Sequence, residues 1–192
     1  MRLSRPVDRF AIMPRRGMID NERDNVNYYA LIVLGILSRL LPHPPNLTPI
    51  AALGLFAGAR GHSPGAWAVP VLSLLATDWW LGGYDPMVML FVYSGFACSS
   101  AIGRFWLRHH RGMSRIATAA VAASTAFFLL SNFGWWLSGM YPPTADGLIE
   151  CYLRGLPWFG ATLLGDVFYS LAIIGCYDLL TERKSRTVPH AA

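Results

Sequence analysis

Two stretches of this chain, Tyr28 to Trp106 and Ile116 to Leu180, contain very few charged residues. No other feature narrows the fold as far. A carboxylate or cation in the middle of a bilayer costs ~2.5–3.5 kcal/mol on insertion scales, so a chain that avoids charge over such lengths is suited to lipid. A soluble domain carries about 25% charged residues. Here the figure is 14%, against 54% hydrophobic, in 192 residues. The expected fold is all-α: a polytopic membrane protein with about six transmembrane helices.

Six apolar segments can be drawn, over residues 28–41, 49–60, 65–82, 87–107, 116–139 and 157–180. The last three reach the ~20 residues a spanning helix needs, and the third is close. The first two are short, about 21 Å and 18 Å by helical rise. They read either as thin spans or as a re-entrant pair buried in protein. Residues 1–27 read as a basic cytoplasmic tail, 28–180 as the membrane domain and 181–192 as a second cytoplasmic tail. The first 27 residues hold six arginines and no apolar signal-peptide core, and Met18 is an alternative start.

Cationic residues orient such a chain, because they are retained on the cytoplasmic side. With the N-terminus inside, fourteen of the sixteen Lys and Arg fall on that side, and only Arg39 and Arg154 lie near the other. Both termini are therefore expected in the cytoplasm. A hairpin of the first two segments gives the same parity, so charge does not separate the two topologies. The net charge of +5 has the same explanation and does not call for nucleic acid. The loop "RFWLRHHRGMSR" reads as an orientation signal, and His109 and His110 have no third ligand nearby. Cys98, Cys151 and Cys176 form no CxxC pair and read as small packing residues. No metal and no cofactor is implied.

Several unusual residues are expected on the outer side. "RLLPHPPNLTP" (39–49) joins the first two segments and brings Arg39 and His43. Its prolines fix φ and lack donors, which makes the crossing stiff. Asn46 and Thr48 are good N-cap types for a helix with Pro49 in its first turn. Asp78 and Trp79 close the third segment. Asn132, Trp135 and Trp136 lie in the outer half of the fifth, while Arg154 and Trp158 lead into the sixth, with Asp166 deeper. The tryptophans suit an interfacial belt or the walls of a pocket. Asp166 suits either a structural bond, to Arg39 or Asn132, or a ligand contact. Aromatic rings beside a few polar groups would accept a flat heterocyclic ligand. Gly54 and Gly58 stand in GxxxG spacing within "AALGLFAGA" and permit close approach by another helix, of this chain or of a partner.

The segments "RLLPHPPNLTPIAALGLFAGA", "LLATDWWLG", "FVYSGFACSSAIGRFW" and "SNFGWWLSGMYPPTADGLIECYLRGLPWFGATLLGDVFY" resemble a family of small bacterial membrane proteins with no established function. The resemblance covers nearly all of residues 28–180, and Leu47 stands where that family usually has Phe. More distantly, the architecture is similar to the substrate-binding subunits of energy-coupling-factor vitamin transporters. That likeness implies six helices, an outward-facing pocket and docking on a transmembrane coupling subunit with its ATPases, in a bacterial inner membrane. It carries no binding residues with it.

Three functions compete. The favoured one is a small-molecule-binding membrane protein, a transporter subunit whose ligand is unidentified. Its contacts would be Arg39, His43, Asn46, Asp78, Asn132, Arg154 and Asp166, with Trp79, Trp135, Trp136 and Trp158 as walls. The chain has no GxxxxGK[ST], so a partner would supply the energy. The alternative is a structural or assembly subunit of another membrane complex. An enzyme is disfavoured, because HExxH is missing; a His43 pair with Asp78 or Glu150 would be its acid and base.

Overall fold

A computed structural model describes residues 26–61, 65–179 and 181. Among them there are six α-helices and no strand: α1 Tyr28–Leu40, α2 Ile50–Arg60, α3 Gly65–Leu81, α4 Pro86–Ile102, α5 Met113–Trp135 and α6 Ala145–Ser170. The last three each run on through a π-helical stretch: Gly103–Leu107, Trp136–Met140 and Leu171–Gly175. The continuous helices Pro86–Leu107, Met113–Met140 and Ala145–Leu179 have 22, 28 and 35 residues, long and apolar enough to cross a membrane. The chain is an all-helical membrane protein. The six tail arginines, Met18 and the basic residues Arg183, Lys184 and Arg186 lie outside the described residues.

Local chemistry explains where the helices begin. Asn27 caps α1 by accepting from the Ala30 N–H. Asp85 caps α4, accepting from Met87 and Val88, with Pro86 at the first position. Thr144 caps α6 by accepting from Gly147, with Asp146 in its first turn. That cap starts α6 twelve residues before the expected 157. Residues 145–156 are polar enough to look like a loop, yet Glu150 and Arg154 form an i,i+4 ion pair at 2.8 Å on the helix surface. The helix passes through Pro157.

The expected caps for α2 are also corrected. Neither Asn46 nor Thr48 caps it; Pro49 occupies that position without a side-chain bond. Asn46 instead adopts φ 62°. The Leu47 N–H donates to the Pro44 carbonyl at 3.1 Å. That is a turn with proline second and a left-handed residue third, a place where asparagine is tolerated.

α2 is the core. Ten of its eleven residues are buried. A Cβ on Gly54 would overlap the Ser99 hydroxyl, and one on Gly58 would overlap the Ser100 carbonyl. On the facing helix, a Cβ on Gly103 would overlap the Leu55 carbonyl. The small residues thus serve backbone-to-backbone packing of α2 on α4, within the chain. At the C-terminal ends of α2 and α6, Asp178 pairs with Arg60 and, at 3.3 Å, with Arg111, while the Arg60 guanidinium lies 4.6 Å from the Tyr177 ring centroid.

The proline loop between α1 and α2 sits deep along α6. Leu47 lies 3.4 Å from the position a Gly165 Cβ would take. Ala145 to Gly165 is about 30 Å of helix at ~1.5 Å per residue. α6 therefore extends far beyond the loop, which lies beside the middle of the long helix and not at its end.

Candidate functional site

Above this loop the helices form a partly open cavity of about 350 Å³, within the range of small-molecule sites. Seven of the eleven candidate ligand residues line it: Arg39, His43, Asn46, Asn132, Trp135, Trp158 and Asp166. Asp78, Trp79, Trp136 and Arg154 do not. Trp79 is 91% exposed on the outer surface of α3. The Trp136 indole donates to the Pro142 carbonyl at 2.9 Å, and Arg154 is held by Glu150. Asp78 stands behind the wall.

The wall at α1 is an ion pair. Arg39 closes on Asp78 at 2.8 Å, and Asp78 is only 3% exposed. The Tyr93 hydroxyl donates to the other oxygen of Asp78, also at 2.8 Å. The carboxylate is thereby satisfied on both sides. The second guanidinium terminus, Nη1, is buried with no hydrogen-bond partner among the described residues. Tyr84, in the loop before α4, lines the cavity nearby. Burial, reinforced by the charge of Asp78 and opposed by Arg39, pushes its hydroxyl up to about 12, so it stays a neutral donor.

Asp166 stands on α6 and is 2% exposed. It makes neither of the bonds expected of it, to Arg39 or to Asn132. Its Oδ2 accepts from the Ser124 hydroxyl of α5 at 2.6 Å, and no cation among the described residues pairs with it. Asn132 turns its amide onto the Phe128 carbonyl at 2.8 Å. A Cβ at Gly155 would strike the Asn132 side chain, so this glycine makes its room. His43 is exposed, with Nδ1 2.7 Å from the Leu41 carbonyl oxygen, and forms no pair with Asp78 or Glu150.

Between these polar points the walls are aromatic. Phe96 and Phe127 stack at 4.4 Å between centroids, and Phe128 and Phe159 at 4.7 Å. All four line the cavity. The sequence reading missed them, along with Ser124, because a phenylalanine facing a cavity and one facing lipid look alike in a hydrophobic run. Phe128 also borders a separate apolar groove of about 290 Å³ with Leu148, Ile149 and Leu156. Among the described residues no cluster of His, Cys, Asp and Glu is arranged to hold a metal ion.

The site thus brings a carboxylate, an amide and several π faces to one partly open cavity. No curated protein and no solved structure matches the chain. A family model does match residues 20–189, and by that match the chain belongs to DUF6580, a family of unknown function.

Proposed function

We propose that this chain is a small-molecule-binding membrane protein, the substrate-binding subunit of a transporter. The observation that carries the reading is Asp166, a buried carboxylate with no cation partner among the described residues, on the wall of an aromatic-lined cavity. Intramembrane ionisable groups are expensive to bury and are found at ligand or ion pathways. A group placed only for packing would be better served by an apolar residue of the same volume.

Orientation follows from charge. The excess of Lys and Arg puts both termini in the cytoplasm of a bacterial inner membrane, and the cavity then opens outward. The α1–α2 pair enters from the inner side as a re-entrant hairpin, and its proline turn forms the floor of the pocket. This fits the depth of Leu47 along α6 and the rule that irregular backbone at membrane depth lines a cavity or is covered by protein. The sequence lacks a nucleotide-binding loop, so a coupling subunit with ATPases would drive release to the inside.

The test is mass spectrometry of small molecules retained by the detergent-purified protein, with Asp166→Ala and Trp79→Ala beside it. The expected result is one compound present in the wild type and in Trp79→Ala and lost from Asp166→Ala. A wild type without any bound compound, retained instead in a stoichiometric membrane complex, would favour the role of a structural subunit.

A further inference from the structure

The charges lining the cavity are unequal in their compensation. Arg39 is the guanidinium of the wall, and its charge is met by Asp78 at 2.8 Å. Asp78 in turn holds the Tyr93 hydroxyl, so that end of the site is electrically closed. What remains on Arg39 is an unused N–H, a hydrogen-bond donor rather than an unbalanced charge. Asp166 is different. It has one neutral partner, the Ser124 hydroxyl at 2.6 Å, and is 98% buried by its 2% exposure. A hydroxyl supplies a hydrogen bond and no charge. The uncompensated charge of an ionised Asp166 is negative, on a side chain that is itself buried, where Coulomb forces are stronger than in water.

The neighbouring walls point to the same chemistry. Phe127, Phe128, Phe159, Trp135 and Trp158 share the cavity with Asp166. Aromatic faces carry the negative end of the ring quadrupole and attract cations, most strongly when both are desolvated. An anion would meet π faces and a carboxylate together, and both would repel it. Phosphate and carboxylate ligands are ordinarily taken by free guanidinium groups or helix N-termini, and Arg39 is already engaged.

We propose that the ligand is a compact organic cation: a flat ring bearing a protonated nitrogen whose N–H groups donate to Asp166 while the ring lies among the aromatic walls. This rests on the reading of the cavity as a binding site and adds the sign of the ligand's charge. Pairing with such a cation offsets part of the penalty of a lone buried carboxylate.

Three probes of nearly the same size and shape decide it: benzamidine, a cation; benzamide, neutral; and benzoate, an anion. Each is titrated against the purified full chain in lipid nanodiscs by equilibrium binding, with Asp166→Asn and the surface variant Trp79→Ala beside the wild type. Hydrogen bonds to charged partners are stronger than neutral ones. Benzamidine is therefore expected to bind the wild type roughly tenfold or more tighter than benzamide, with benzoate weakest. Trp79→Ala should keep that order. Asp166→Asn should lose the preference for benzamidine over benzamide. If the variant does not fold, the wild-type ranking alone still decides. Benzamide or benzoate bound as tightly as benzamidine would overturn the charge assignment and leave the cavity reading standing. A preference that survives in Asp166→Asn would remove Asp166 as the cation's partner. Binding of none of the three at millimolar concentration would overturn the charge assignment, while a compound still retained by the purified wild type would leave the cavity reading standing.

Discussion

Arg39 and Asp78 show how much one contact can decide. They tie the C-terminal turn of α1 to the end of α3 and so fix one wall of the cavity. Removing one member of a buried pair leaves the other charge uncompensated, at a cost of ~3–5 kcal/mol, whereas replacing both with apolar groups is often close to neutral. Arg39→Leu and Asp78→Leu should each lower the thermal midpoint in detergent sharply, and the double variant should recover most of the loss. Equal, additive losses would mean that the two side chains act independently. Parts of this site were legible in the sequence: Arg39, Asn132 and Asp166 stood out because polar groups are scarce in apolar runs, and the structure gathers all three on one cavity. Their partners were not legible. Nothing in the spacing of Ser124 and Asp166, or of Tyr93 and Asp78, signals a bond, because each pair meets only through tertiary packing.

At the scale of elements, α2 is short because it is surrounded. An eleven-residue helix with ten buried residues is held by its neighbours, not by its own length. The GxxxG spacing pointed to close helix packing, but not to which helix would answer it. That answer needed Ser99, Ser100 and Gly103 on α4. The start of α6 was hidden for the opposite reason: residues 145–156 satisfy helical capping and an i,i+4 ion pair while being too polar to register as a span. Two glycines separate packing from mere helix propensity. Gly58→Leu would drive a side chain into the Ser100 backbone, and overpacking of this kind costs ~1–3 kcal/mol or more. Gly160, on α6, has open space where a Cβ would stand. Gly160→Ala should leave stability unchanged or raise it by roughly 0.5–1 kcal/mol. Gel filtration and thermal melts of the two variants should differ clearly: Gly58→Leu aggregating, Gly160→Ala behaving as wild type.

At the scale of the whole molecule, three long helices and the α1–α2 hairpin frame a cavity at one end, with α2 buried and α1 burying only Gly35, while Arg60, Arg111 and Asp178 gather at the other. The charge rule that orients the chain is indifferent to the hairpin, since two thin spans or one re-entrant pair leave the remaining loops on the same sides. Leu47 beside Gly165 sets the position of the turn along α6. Under the proposed topology, a cysteine at His43 is reached by a membrane-impermeant maleimide only from the outer face, through the cavity, and reporters fused at either terminus report the cytoplasm. Labelling at position 43 from the inner face would reverse that orientation.

The central claim is that this cavity, with Asp166 on its wall, is a binding site. Its most direct test is an experimental structure of the protein in lipid nanodiscs, purified with the compound it retains. The account predicts density in the cavity, within hydrogen-bonding distance of Asp166 and against the rings of Phe128 and Phe159. An empty cavity, with the compound in the apolar groove beside Leu148 and Leu156 instead, would contradict it.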